Sequence, residues 1–290
     1  MNKFFYRKTV AIIRQELKNF TGMNFEEGYI SLDNERLHYL KTGTGKRLLL
    51  AFHGYGNDAG IFKPIEEYLT NEFTTLSFDL PHHGRSTWSD APMTKKNLVQ
   101  VIETVKKQYN VKKVSLLGYS LGGRVCLAII EMSPGDIDRA TLLATDGLVP
   151  NNYYAFFTNT NLGKKMFTNM LQEPARYFRV MEWFKKLHLV HPSRYKFAMH
   201  SLGTPEARNL LLNVWPAMSK LIPSRARLRS VISKHRIPIT LFMGANDKIM
   251  PPRLGAQFKS GLDSVQMHIL NRGHIIVDHE NAEQIAKSLL

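Results

Sequence analysis

Apolar positions along this chain follow two rhythms that take turns. From Tyr29 to Thr42, Y-I-S-L-D-N-E-R-L-H-Y-L-K-T alternates apolar and polar residues about Asp33-Asn34, which predicts an antiparallel hairpin. Leu48 to Phe52 is continuously apolar and predicts a strand buried on both faces. Ile61 to Leu69 has helical spacing, and Phe73 to Leu80 predicts another strand. Thr94 to Tyr109 sets Leu98, Val101, Ile102 and Val105 on one side and Lys96, Glu103, Lys106 and Lys107 on the other, the pattern of an amphipathic helix. Val114 to Leu117 predicts a strand, Leu121 to Met132 a well-buried helix, and Ala140 to Ala144 a further strand. Strand and helix alternate throughout, which implies a parallel sheet covered on both faces.

At Asp146 the alternation stops. Residues 147–236 hold helical stretches, many aromatics and no strand signal. The rhythm resumes with a strand at Ile239 to Met243, a helix near Arg253 to Leu262, a strand at Val265 to Leu270 and a closing helix from Glu280 to Leu290. The expected organisation is therefore an α/β core made of residues 1–146 and 237–290, with residues 147–236 inserted as a helical cap. The insertion enters and leaves at the carboxyl edge of the sheet, where open α/β sheets bind ligands.

The candidate chemistry lies at that edge. Val114 to Gly123, V-S-L-L-G-Y-S-L-G-G, is a strand that runs into G-x-S-x-G and then a helix, the setting in which a serine hydroxyl stands exposed as a nucleophile. Gly118 and Gly122 occupy positions where side chains would collide as strand and helix converge. Acyl transfer by Ser120 needs a base, a carboxylate to orient it and donors for the oxyanion. Asp247 follows one late strand in G-A-N-D-K and His274 follows the last in N-R-G-H, so all three residues gather at one edge of the sheet. Asp146, directly after the preceding strand, is the alternative acid, and His279 competes with His274. Asp79 reads as a structural carboxylate that ties down its loop. His53, His82 and His83 read as loop histidines, because no carboxylate or cysteine accompanies them at metal-ligand spacing.

H-G-Y-G at 53–56, D-L-P-H-H-G-R-S at 79–86, G-Y-S-L-G-G, G-A-N-D and G-H occur in the order found in the α/β-hydrolase superfamily, which the chain resembles over nearly all of its length outside the insertion. The resemblance implies a mostly parallel eight-stranded sheet with helices on both faces and an inserted cap. It makes Ser120 the nucleophile, His274 the general base and then acid, and Asp247 the orienting carboxylate, with the backbone N–H groups of Tyr55 and Leu121 as the oxyanion hole. No metal or other cofactor is called for. A serine at the elbow, where dehalogenases and epoxide hydrolases of the superfamily carry aspartate, points to a carboxylic ester first. C–C cleavage of acidic diketones is the alternative, and a non-catalytic binding module is the second alternative. One departure is visible: His82 stands where the family's loop commonly has glycine, so the backbone there is expected to differ.

Composition changes this picture little. Forty-three per cent hydrophobic and 22% charged residues are ordinary for a globular chain. The first residues carry charge every few positions and fit neither a signal peptide nor a spanning helix, so a soluble cytoplasmic protein is the default expectation. Phe4, Phe5, Val10, Ile12, Ile13 and Leu17 could line one side of a basic amphipathic helix, which is expected to pack on the domain. The single cysteine, Cys126, falls in an apolar helix and reads as a buried, inert thiol.

Charge matters more. The net charge is +15, and residues 147–236 account for +12 of it, with 15 Lys and Arg against three acids. The same segment holds 12 of the 30 aromatic residues, enough for a small core of its own and an apolar wall above Ser120. Arg176, Arg179, Lys185, Lys186, Arg225, Arg227 and Arg229 could form a positive face that draws anionic or lipid-derived ester substrates, or contacts a membrane surface; the competing reading is ordinary solvated charge. Charge alone would also suit a nucleic-acid binder, but no helix-turn-helix, zinc or RNP pattern is present and no nucleic-acid partner is expected.

Overall fold

The computed structural model describes residues 25–186 and 202–290, so the amphipathic Phe4 to Leu17 stretch lies outside the described residues. β1 (Glu26–Leu32) and β2 (Glu35–Thr42) form the hairpin, turned at Asp33 in the left-handed region with φ 53°. There follow β3 (Arg47–Phe52), α1 (Lys63–Glu66), β4 (Phe73–Phe78), α2 (Lys95–Tyr109), β5 (Val114–Tyr119), α3 (Leu121–Met132) and β6 (Ile137–Leu143). The helices α4 (Asn152–Asn159), α5 (Asn161–Gln172), α6 (Pro174–Lys186), α7 (Pro205–Ala217) and α8 (Arg225–His235) come next. β7 (Ile239–Gly244), α9 (Pro252–Lys259), β8 (Val265–Leu270) and α10 (His279–Lys287) complete the chain.

The helix expected over 61–69 is only a single 3-10 turn at Ala59–Phe62 leading into α1. Pro64 in its first turn donates no backbone hydrogen bond, and the segment still delivers Phe62, Ile65 and Leu69 to the core from successive turns.

The eight strands lie in the order β1-β2-β4-β3-β5-β6-β7-β8, with β2 antiparallel to both of its neighbours, β1 and β4, and every other pairing parallel. Central strands are buried on both sides. Leu48, Leu50 and Phe52 enter one core, with α2, α3, α8 and α9, while Leu49 and Ala51 enter the other, with α10. That two-sided burial is why these strands read as unbroken apolar runs. β3 and β5 are neighbours although β4 intervenes in sequence, so the chain leaves β3 in one direction and β5 in the other. The carboxyl ends of these two strands mark the switch point at which doubly wound sheets open a crevice.

Among the described residues, the segment between β6 and β7 is made of helices joined by short irregular connections, and it divides in two. Phe157, Phe167, Phe178 and Trp215 pack with Leu171, Leu202 and Leu211 in a small core of their own. α8, by contrast, buries Leu228 and Ile232 in the main core beside α3, and is a layer helix of the sheet. Glu131 at the end of α3 is buried, accepts from Lys95 Nζ at 2.6 Å and caps the approach to α8 through the Ser224 amide at 3.2 Å.

α3 can lie against β3 only because Gly122 has no side chain: a Cβ there would sit 1.8 Å from the Phe52 carbonyl oxygen. Gly122→Ala must push the helix off the sheet, and we expect a loss of about 3 kcal/mol or more in urea denaturation. A stability within experimental error of the wild type would show that the helix can shift freely.

Candidate active site

β5 ends at Tyr119, and the chain turns into α3 within one residue. Ser120 makes that turn with φ 50° and ψ −111°, a conformation that L-residues rarely adopt. It is held there by its own amide donating to Leu143 O at 2.8 Å and its carbonyl accepting from Gly123 and Asp146, both at 3.0 Å. The strained turn lifts the Ser120 hydroxyl clear of the sheet edge toward the loop after β8.

That loop supplies His274. Ser120 Oγ donates to His274 Nε2 at 3.0 Å, and His274 Nδ1 donates to Asp247 Oδ2 at 2.7 Å. A carboxylate only accepts, so the proton sits on Nδ1 and leaves Nε2 free to take one. Asp247 is fully buried, and its other oxygen accepts from the Ile249 and Met250 amides, both at 2.8 Å. Burial alone would raise its pKa, but the His274 contact and the two amides outweigh it and hold the carboxyl below its usual value. Tyr119 OH donates to the His274 carbonyl at 3.2 Å and steadies the loop from beneath. His279 begins α10 and is exposed.

Asp146 is engaged elsewhere. It pairs with Arg124 Nη2 and accepts from the Gly147 amide at 2.6 Å. Arg124, buried on α3 one turn past Ser120, also stacks over Tyr154 with 4.1 Å from its guanidinium carbon to the ring centroid. Tyr154 OH in turn donates to Trp215 O at 2.8 Å. This run of contacts joins α3 to α4 and α7. It was not singled out in the sequence, although a lone arginine in the apolar run L-G-G-R-V-C-L-A-I-I was the signal.

The Tyr55 and Leu121 backbone N–H groups donate to no other described residue. Tyr55 lies in the 53–56 loop after β3, which two neutral histidines fasten. His53 Nδ1 donates to Gly54 O at 2.7 Å while its Nε2 accepts from the Leu80 amide at 3.0 Å. His83 Nδ1 donates to Pro81 O at 2.9 Å and its Nε2 accepts from the Gly56 amide at 3.0 Å. Asp79 gathers the Ala59 and Arg85 amides and His38 Nδ1, as a loop-binding carboxylate does. His82 has φ 62°, in the left-handed region that glycine enters most readily.

Ser120 and His274 open into a cavity of about 450 Å³. Tyr55, Tyr153, Tyr154, Trp215, Met218 and Met250 give it a largely apolar wall. Of the basic residues expected on the positive face, Arg229 is committed to the Phe258 and Ser260 carbonyls at the end of α9, and the side chain of Arg176 lies outside the described residues, as does that of Phe184.

Against known proteins, a profile described as the alpha/beta hydrolase fold matches residues 47–280. The chain belongs to the alpha/beta-hydrolase family. Among relatives in this family, a pimeloyl-acyl-carrier-protein methyl ester esterase of Methylococcus capsulatus is 26% identical over 77% of this chain and 86% of its own. The 2-hydroxy-6-oxononadienedioate/2-hydroxy-6-oxononatrienedioate hydrolase of Paraburkholderia phymatum is 22% identical and matches 97% of this chain and 98% of its own. In structure, naproxen esterase (carboxylesterase NP) of Bacillus subtilis superposes with a TM-score of 0.61 at 18% identity, covering 94% of this chain and 92% of its own.

The fastened loop carries a pH signature. Burial, with His83 adding to it, lowers His53 from 6.5 to about 3. Between those values the unfolded chain binds a proton that the folded chain refuses, so His53 makes stability fall as pH falls, by about 1.4 kcal/mol per unit. Buried Glu66, raised by burial from 4.5 to about 7, contributes the opposite slope, so the wild type is compared with a variant. From pH 7 to pH 5, His53→Asn should lose about 2 kcal/mol less stability than the wild type in urea titrations. Equal losses would mean that His53 does not resist protonation.

Proposed function

We propose that the protein is a serine hydrolase that cleaves a carboxylic ester through an acyl-enzyme. The observation that carries this reading is the unbroken hydrogen-bonded chain from Ser120 through His274 to Asp247, opening on a cavity beside two unengaged backbone donors. His274 Nε2 takes the hydroxyl proton as Ser120 Oγ attacks the ester carbonyl. The Tyr55 and Leu121 amides receive the charge that develops on the carbonyl oxygen. As the tetrahedral intermediate collapses, His274 returns the proton to the leaving alcohol, and water attacks the acyl-enzyme by the same route in reverse. Asp247 stays ionised, fixes the imidazole tautomer and stabilises the imidazolium. Asp146 serves as the counter-ion of Arg124, not as the acid of the triad.

In this reading α4 to α7 act as the cap, with Tyr153, Tyr154 and Trp215 as the wall against which the acyl group rests. The ester is a small molecule with an apolar acyl portion, and the chemistry uses no cofactor. A second reading, C–C cleavage of an acidic diketone at the same serine, is favoured by the Paraburkholderia relative, which is named for oxo-dioate substrates.

Hydrolysis of p-nitrophenyl esters from acetate to long acyl chains tests the proposal. Ser120→Ala should abolish it with the fold intact, and Asp247→Asn should lower kcat by about 10³ to 10⁴-fold. Asp146→Asn should keep kcat within about tenfold and lose stability instead, because it removes the charge paired with a buried guanidinium. Activity surviving Ser120→Ala, or larger kcat loss in Asp146→Asn than in Asp247→Asn, would overturn the assignment. A wild type inert on every ester but active on an acidic diketone would favour the second reading.

A further inference from the structure

α5 has a conventional inner side. Gly163, Phe167 and Leu171 recur at four-residue intervals and are buried, and Gly163 lies so close to α4 that a Cβ would sit 2.1 Å from the Phe156 carbonyl oxygen. Phe157 of α4 and Phe167 of α5 close the contact with ring centroids 6.2 Å apart. The outer side is not conventional. Leu162 and Met166, one turn apart, are 64% and 42% exposed; exposed Lys165 flanks Leu162 on this side, while Lys164, also exposed, lies two positions from both and so on the far flank of the helix. A solvent-facing side of an amphipathic helix ordinarily carries polar residues.

The neighbouring helices share this character. Tyr153 in the first turn of α4 is 81% exposed and also lines the cavity that holds Ser120. α6, packed against α5, exposes Trp183 at 58% and ends in Lys185 and Lys186. Neither α4 nor α5 contains an acidic residue. Large apolar side chains and cations are thus interleaved on consecutive helices, and the surface runs to the cavity at Tyr153.

We propose that the α4–α6 face docks on an anionic lipid bilayer and that the cavity receives its substrate from that surface. Two requirements select this partner. Lysines alone would suit a nucleic acid, but its phosphate backbone offers nothing to Leu162 and Met166, and a protein would have to set acids around an apolar patch of matching shape. Apolar residues alone would suit a neutral surface, which has no use for the cations. A bilayer of anionic lipids offers both, with headgroup charge for the ammonium groups and an acyl boundary just beneath for the apolar side chains. Lysine stems lie along apolar surface while their charge reaches outward, so the two kinds of residue act together. Docking itself stands on the surface alone; the delivery of substrate rests on the ester-hydrolase reading above.

The full chain carrying Ser120→Ala, which cannot consume lipid, would be sedimented with phosphatidylcholine vesicles with and without phosphatidylglycerol, at low and high salt. We expect binding to the anionic vesicles only, weakened by salt. Lys165→Gln, beside Leu162, should weaken it about fivefold, and Lys164→Gln on the far flank should weaken it less. Leu162→Glu combined with Met166→Glu should weaken it at least about tenfold. In the Ser120 background the same double variant should hydrolyse a soluble short-chain p-nitrophenyl ester at the wild-type rate, because both positions are exposed. Absent binding, equal binding to neutral vesicles, or binding indifferent to Leu162 and Met166 would overturn the inference. So would duplex DNA bound as tightly as anionic vesicles by both the wild-type surface and the double variant. A wild type that hydrolyses the soluble ester without binding vesicles sinks the docking surface alone, whereas vesicle binding by a chain inert on every ester sinks the hydrolase reading alone.

Discussion

Everything at the candidate site depends on how closely α3 approaches the ends of β3 and β5. Gly122 lies against the Phe52 carbonyl, and Gly118 against the Gly123 backbone and the Cys126 thiol, and no side chain fits at either glycine. Because the helix starts so near the sheet, the connecting residue must turn in a single step, and Ser120 takes up the positive φ that this demands. The strain is over-determined by three backbone hydrogen bonds. A serine held this way cannot retract, and the amide that follows it, at Leu121, has no partner among the described residues. The positions of the Ser120 hydroxyl and of that free amide are therefore consequences of one packing constraint.

The second requirement is that charges be assigned without ambiguity. Two aspartates stand at the carboxyl ends of neighbouring strands, β6 and β7, and both could in principle serve His274. Arg124 resolves the competition, because a buried guanidinium needs a counter-ion and Asp146 is the one within reach. Asp247 is then free to pair with His274, supported by the two amides of its own loop. The same economy governs the loop after β3. His53 and His83, kept neutral by burial, each use both ring nitrogens on backbone groups, so the segment that presents the Tyr55 amide is fixed by side chains with no part in proton transfer.

The helices between β6 and β7 are joined to this frame while keeping a core of their own. Trp215 stacks on Phe167 with ring centroids 5.0 Å apart and planes 6° from parallel, inside that small core, and its carbonyl accepts from Tyr154. Through Tyr154 the small core reaches Arg124, one turn from Ser120. Among the described residues of the segment, Phe157, Phe167, Phe178 and Trp215 hold it together, and Tyr153, Tyr154 and Trp215 line the cavity. The net positive charge is similarly divided: Arg229 is consumed in capping α9, while the lysines of α5 remain on the surface.

Local pattern was sufficient for much of this. A period of two in the hairpin, unbroken apolar runs in the central strands and a period of 3.6 in most helices mark the elements, because burial on one or both faces leaves that imprint on neighbouring residues. Alternation of the two periods implies the parallel sheet, and glycines at 118 and 122 announce a close approach before any coordinate is known. Other features left no local trace. The helix expected over 61–69 shortened because packing, which periodicity cannot see, was satisfied by looser turns. His82 sits at positive φ in a loop whose Asp79 and His83 side chains accept from the Arg85 and Gly56 amides. Membership of α8 in the sheet's own layer, and the pairing of Asp146 with Arg124 and of Asp247 with His274, bring together residues 22 and 27 positions apart in the chain. Periodicity reports which face of an element is buried; which groups meet across that burial depends on distances between elements, and those exist only once the chain has folded.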